Sequence, residues 1–178
     1  MFEALTLHFS CFLTNLIFVT KIYALGAQKP STFFHRCTRD SWSVLCAIDH
    51  QRVVHHRVYS SSGTGVDSER FLIFLRELLE IFPRHKILVL DNARIHHTEL
   101  VLTVLRDSGI SFVFLPEYSP DYTPIELVFN VMKKNMKKFF AQELEAPEVV
   151  ERVLNNITPE SFVGFYRESI RFWNSNTP

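Results

Sequence analysis

The sequence has no acidic residue between Glu3 and Asp40, and it contains only three cysteines. Nineteen basic and nineteen acidic residues leave no net charge, which argues against a protein that coats nucleic acid with its whole surface, although local basic patches stay open. The three cysteines form no CxxC pair, and their odd number does not suggest a disulfide framework. The chain is therefore expected to be intracellular and reduced, and nuclear in a eukaryotic host.

The chain also lacks an uninterrupted apolar run that could cross a membrane. Residues 1–20 are apolar, but His8, Ser10, Thr14 and Asn15 interrupt them, and they have neither a basic n-region nor a small-residue cleavage site. We therefore expect no membrane partner. The segment is predicted to form one or two buried strands, at residues 5–13 and 16–22.

Hydrophobic residues make up 47% of the chain and include seventeen Phe, which is enough apolar mass for the core of one domain. Periodicity and turn residues predict further strands at residues 41–48, 52–59, 87–90 and 111–115. Helices are predicted from Asp67 or Ser68 to Phe82, from Thr98 to a terminator at Gly109, and at residues 124–141, 148–155 and 159–174. Antiparallel strands followed by strand–helix units indicate an α/β fold, a mixed sheet with helices on both faces plus C-terminal helices.

Two carboxylates lie at the ends of predicted secondary-structure elements. Asp91 directly follows the predicted buried strand of residues 87–90. It therefore lies at the carboxyl end of this strand, where α/β sheets usually bind their ligands. Glu126 follows Pro124, which suits the first turn of a helix. Carboxylate oxygens are the ligands that Mg²⁺ and Mn²⁺ prefer. The adjacent pairs His55-His56 and His96-His97 would point to opposite faces of a strand and do not predict zinc.

The stretch LVLDNARIHH, followed by FLPEYSPDYTPIELVFNVMKK, resembles the catalytic core of the mariner-type DDE transposases, also called DDE superfamily endonucleases. Members carry a run like LxLDNAxxH and then FLPPYSPDLNPIE, with a similar gap between Asp and Glu. The resemblance spans residues 23–138 and departs from the family at Thr123, where Asn is usual. It implies a ribonuclease H-like fold that cleaves and transfers DNA strands with Mg²⁺ or Mn²⁺. Asp91 would be the second catalytic, metal-binding carboxylate and Glu126 the third.

The first catalytic Asp of the family has no evident counterpart. The resemblance puts it in the first strand, within residues 8–12, and HFSCF contains no acid. Asp40 is the best substitute, whereas Asp49 is expected at the opposite end of the sheet. The predicted division is a divergent N-terminal segment (residues 1–22), a ribonuclease H-like core truncated at its N-terminus (23–141), and a C-terminal helical extension (142–178).

The predicted helix at residues 124–141 also carries four lysines on one face, namely Lys133, Lys134, Lys137 and Lys138. This face either is solvated or binds DNA phosphates weakly and without sequence preference. Three hypotheses follow: a catalytically impaired transposase-derived domain that keeps some DNA affinity, an active nuclease with a substitute acid, and a non-catalytic protein-interaction module on the same fold. The sequence leaves the choice between monomer and homo-oligomer open.

Overall fold

A computed structural model describes residues 16–25, 41–60, 66–116, 123–140 and 146–176 of the chain. Five strands lie in these segments: β1 (Leu16–Leu25), β2 (Ser41–Ile48), β3 (Val53–Ser60), β4 (Ile87–Leu90) and β5 (Ser111–Phe114). The helices are α1 (Ser68–Ile81), α2 (Glu99–Asp107), α3 (Pro124–Phe140), α4 (Ala146–Asn155) and α5 (Pro159–Asn176), and a short 3-10 turn spans Arg94–His97. The predicted order of strands and helices is confirmed.

The strands form a mixed sheet in the order β3-β2-β1-β4-β5. β1 pairs antiparallel with β2, and β2 with β3, whereas β4 is parallel to β1 and β5 is parallel to β4. Parallel neighbours need crossover connections, and the helices α1 and α2 supply them. The carboxyl ends of β1, β4 and β5 consequently point toward one edge of the sheet.

β1 begins at Leu16, as predicted for the second N-terminal strand, but it does not end at Ile22. It continues to Leu25 because its last residues pair with the start of β2, where Leu25 is opposite Ser41. The predicted loop that began at Tyr23 is thus wrong in its first residues. The other predicted strand, at residues 5–13, lies outside the described residues.

One face of the sheet is covered by α1 and α2. Side chains of alternate strand residues point to this face, Leu88 and Leu90 among them, and they pack against the apolar sides of both helices. The buried helix residues in this layer are Phe71, Leu72, Phe74, Leu75 and Leu78 of α1 and Val101 and Leu105 of α2. The side chain of Asp67 accepts a hydrogen bond from the Arg70 N–H at 2.9 Å and caps α1, as predicted.

The other face is covered by α3, α4 and α5, so helices lie on both faces as predicted. Its core joins Val44 and Val89 of the sheet to apolar residues of all three helices. These are Ile125, Val128, Phe129 and Met132 of α3, Val149, Val150, Val153 and Leu154 of α4, and Phe162 and Tyr166 of α5. The C-terminal helices are therefore part of the main core. No helix in the described segments combines the length and apolar character that a membrane span requires.

A buried ion pair closes the edge of the sheet where β4 begins. Lys86 Nζ donates to Asp49 Oδ2 at 2.8 Å, and the backbone N–H groups of Gln51 and Arg52 donate to Asp49 Oδ1 at 2.8 and 3.0 Å. Burial by itself would raise the pKa of Asp49, but these hydrogen bonds and the Lys86 charge hold the pKa below its ordinary value. Asp49 thus has a structural partner at the edge opposite to Asp91.

Candidate active site at the carboxyl edge of the sheet

Asp91 follows the last residue of β4, and its carboxylate is held by local contacts. Asp91 Oδ1 accepts from the Ala93 N–H at 3.2 Å and lies 2.7 Å from His96 Nδ1. His96 Nδ1 is also 3.0 Å from the Asp91 carbonyl oxygen, which can only accept, so Nδ1 carries the proton. The Asp91 side chain is 32% exposed, so it remains accessible from the carboxyl edge.

His96 is wholly buried and belongs to the 3-10 turn that follows Asp91. Its ring lies against Phe71 of α1, with centroids 4.1 Å apart. The ring thus links the Asp91 carboxylate to the core, which limits the directions the carboxylate can take. The sequence expectation that both histidines of this pair lie on a strand is wrong, because the turn directs His96 inward and leaves His97 exposed.

Glu126 lies in the first turn of α3, as predicted from Pro124. Its backbone N–H donates to the Thr123 carbonyl at 3.3 Å, and Thr123 is buried although the family usually has Asn there. Ile125, the residue before Glu126, shares a core cluster with Val89 of β4, two residues before Asp91. α3 also contacts β1. The first turn of α3, which contains Glu126, therefore packs on the strands that lead to the carboxyl edge. From two-metal geometry we predict that the carboxylates of Asp91 and Glu126 lie roughly 5–8 Å apart.

The register of the sheet identifies the residue of β1 that lies level with Asp91. Val19 of β1 is opposite Leu90 of β4 in the parallel pair, so the next residue, Thr20, is level with Asp91. Residues 8–12 lie outside the described residues, and β1 already begins at Leu16. Because ligands of one metal centre must converge, the position in β1 that corresponds to a first carboxylate is Thr20. This residue carries a neutral hydroxyl.

The family model described as DDE superfamily endonuclease matches residues 20–146. The chain belongs to this family. The match begins at Thr20, the residue level with Asp91, and includes Asp91, Glu126 and the four lysines of α3. The resemblance expected from the sequence motifs is confirmed. A comparison with curated proteins gives no match.

Solved structures of DDE enzymes share the fold. A structure of the Mos1 transposase catalytic domain and Raltegravir with Mn has a TM-score of 0.68 and 16% identity, covering 97% of this chain and 86% of that chain. The Mos1 mariner paired end complex with Mn gives a TM-score of 0.67 at 15% identity, with 97% and 58% covered. A simian T-cell lymphotropic virus intasome structure gives 0.62 at 12% identity, with 82% and 49% covered. The fold is ribonuclease H-like, and the chain spans less than two thirds of the Mos1 chain in the paired end complex.

Within the described residues, the DDE endonuclease site does not fit a two-metal centre. Across the segments that the structure describes, no group of three or more His, Cys, Asp or Glu side chains could hold a metal ion. Cys46 pairs with Thr20 from β2, and burial raises the pKa of the Cys46 thiol to about 12, so it supplies no anionic ligand at neutral pH. Ser41, which follows the proposed substitute Asp40, pairs with Leu25 rather than with a residue beside Asp91. Leu25 is about 17 Å along the strand from Thr20 at roughly 3.3 Å per residue.

The lysine face of α3 is described in part. Lys133 and Lys134 are exposed, as either interpretation of this face requires. Lys137 and Lys138 belong to the same helix, but their side chains lie outside the described part of the structure.

The sequence did not predict the position of Thr20 or the contacts of the two histidines. For the histidines, the available signal is the spacing of five residues in Asp91–His96 and Asn92–His97.

Proposed function

We propose that the chain is a transposase-type DDE endonuclease domain whose metal-dependent DNA cleavage is impaired and whose affinity for DNA is retained. The observation that supports the first part is the register of β1 against β4, in which Thr20 is level with Asp91. Asp91 and Glu126 are the two acidic ligands that remain. A domain of this kind binds DNA without cutting it.

The loss of one carboxylate is a large change for such a site. Mg²⁺ dehydrates reluctantly and demands near-octahedral oxygen ligands, and two ions close together need anionic groups between them. A threonine hydroxyl is neutral and does not offset the repulsion between two divalent ions. We therefore derive no cleavage step for this chain. Mos1 structures with Mn and with Mg support the choice of these ions as test metals.

The lysine face of α3 supports the DNA-binding half of the proposal. The chain has no net charge, so attraction to a phosphate backbone must come from a local cluster. Lys133 and Lys134 are exposed on α3, whose first turn contains Glu126, so the helix that carries the site residue also carries positive charge. Contacts of lysine with phosphate carry no sequence information, so binding is expected to be weak and insensitive to sequence.

A salt titration of DNA binding tests this proposal. Replacing Lys133, Lys134, Lys137 and Lys138 with Ala should reduce the slope of log affinity against log salt, by up to about 0.9 for each DNA phosphate that these lysines neutralise. The measurement is fluorescence anisotropy of a labelled duplex of mixed sequence between about 50 and 200 mM salt, without divalent metal.

The matched control removes charge from the opposite face. Arg76 of α1 and Arg106 of α2 are exposed there, so Ala at both positions should leave the slope unchanged. An unchanged slope in the lysine variant would move the DNA-binding surface elsewhere. The absence of DNA binding by the unmodified chain at low salt would favour the alternative, a non-catalytic protein-interaction module.

A further inference from the structure

Asn92, the residue after Asp91, is exposed at the carboxyl edge and is hydrogen-bonded to His97. The side-chain oxygen Oδ1 of Asn92 is 2.5 Å from His97 Nε2. The His97 ring lies on Phe114, the last residue of β5, with centroids 4.3 Å apart and an angle of 34° between the rings. Asn92 is thus fixed to the sheet through an aromatic support although it is exposed.

The direction of this hydrogen bond determines what Asn92 offers to a ligand. A carboxamide oxygen only accepts, so His97 Nε2 carries the proton and donates it. With Oδ1 engaged by His97, the part of the carboxamide that remains for a ligand is the Nδ2 amino group, which only donates. The Nδ2 amino group suits an oxygen acceptor.

We infer that Asn92 donates a hydrogen bond from Nδ2 to a phosphate oxygen of DNA lying along the carboxyl edge of the sheet, and that His97 is its positioning residue. The inference rests on the DNA binding proposed above. Phosphate is the fitting acceptor because its oxygens only accept hydrogen bonds and because they are exposed along the backbone of any DNA, whatever its sequence. A neutral donor beside the Asp91 carboxylate gives the phosphate a favourable contact without adding charge.

The neutrality of Asn92 separates its effect from that of the lysines. A neutral donor releases no counterions when it binds a phosphate. Asn92→Ala should therefore weaken DNA binding by the same factor at every salt concentration. We expect a rise in Kd of roughly ten-fold with an unchanged salt slope, as for one hydrogen bond to a charged group. Asn92→Asp keeps the acceptor for His97 but presents an anionic oxygen, and it should weaken binding more than Ala does.

A double-mutant cycle tests the role of His97. If His97 acts only by orienting Asn92, His97→Ala should weaken DNA binding in the unmodified chain and have no further effect in Asn92→Ala. Gln51→Ala is the matched control, because Gln51 is an exposed amide in the turn at the opposite edge. All variants are measured on the full chain with a chelator present, and circular dichroism verifies their folding.

The outcomes separate this inference from the proposed function. Unmodified affinity in Asn92→Ala, a changed salt slope in that variant, or additive effects of Asn92→Ala and His97→Ala would each overturn the inference while leaving DNA binding by the domain intact. Failure of the unmodified chain to bind DNA at low salt would overturn both.

Discussion

The proposed impairment rests on a single residue of β1. Asp91 is oriented by His96 and Glu126 lies in the first turn of α3, but Thr20 offers no charge at the position level with Asp91. Affinity for a divalent ion rises with the number of anionic ligands. The expected defect is thus local and can be reversed by one substitution.

Thr20→Asp should raise the affinity for Mn²⁺ by about ten-fold or more, because it adds an anionic oxygen level with Asp91. Isothermal titration calorimetry measures this directly. Ser10→Asp, at the position that the sequence motifs alone favour, is the contrasting variant and should leave Mn²⁺ affinity unchanged. A gain in Ser10→Asp but not in Thr20→Asp would show that the assigned register position is wrong, and a gain that survives Asp91→Ala would place the metal elsewhere.

Among the secondary-structure elements, local patterns predicted the strands and helices well and their relative positions less well. The run ILVL followed by Asp and Asn predicted β4 correctly, because turn residues mark its end. No such signal divides the apolar residues 1–25, and the end of β1 depends on pairing with β2. The register that sets Thr20 beside Asp91 is a tertiary property, which periodicity within one segment does not contain.

The side-chain hydrogen bonds that cap helices also depend on more than the local sequence pattern. Asp67 and Thr98 both occupy the position before a helix, but of these two only Asp67 makes a side-chain capping hydrogen bond. Thr98 also ends the 3-10 turn, where its backbone is extended. The packing of the two histidine rings was not predictable, since it depends on Phe71 and on Phe114, which are distant in sequence.

Asp67→Ala should lower the free energy of unfolding by about 1 kcal/mol, because it removes the hydrogen bond to the first turn of α1. Urea denaturation followed by circular dichroism gives the value. Asp107→Ala is the matched control: Asp107 is an exposed acid at the end of α2, where a negative charge is unfavourable, so its loss should have little effect or stabilise slightly. Equal destabilisation by both substitutions would contradict the capping role of Asp67.

At the scale of the whole molecule, contacts at the edge opposite to Asp91 join the sheet to the last helix. The Asp49–Lys86 pair joins the turn after β2 to the start of β4, and its side chains are 8% and 12% exposed. Tyr166 of α5 donates to the Ile48 carbonyl at 3.3 Å beside this pair, and burial raises the Tyr166 pKa well above its ordinary value. The sheet and the last helix are therefore fixed together at the edge opposite to Asp91.

Asp49→Asn should destabilise the fold by about 3–5 kcal/mol at neutral pH, because it leaves the Lys86 charge buried without a partner. The pKa of Asp49 is lowered in the folded state, so its contribution is fully present above its unfolded pKa of about 3.9 and is lost as pH falls through the lower folded value. Urea denaturation at neutral pH and near pH 3 should show the difference between the unmodified chain and Asp49→Asn shrinking at low pH. Asp107→Asn, with its exposed side chain, should show no comparable trend, and a difference that grows on acidification would contradict the ion pair's role.

Relaxation of supercoiled plasmid DNA with Mn²⁺ tests most directly whether this DDE endonuclease domain is impaired at the position of Thr20. The unmodified chain should leave the plasmid supercoiled, as should Asp91→Ala and Glu126→Ala. Nicking by the unmodified chain that disappears in both of these variants would contradict the proposal, since it would show a complete metal site with a third ligand other than Thr20.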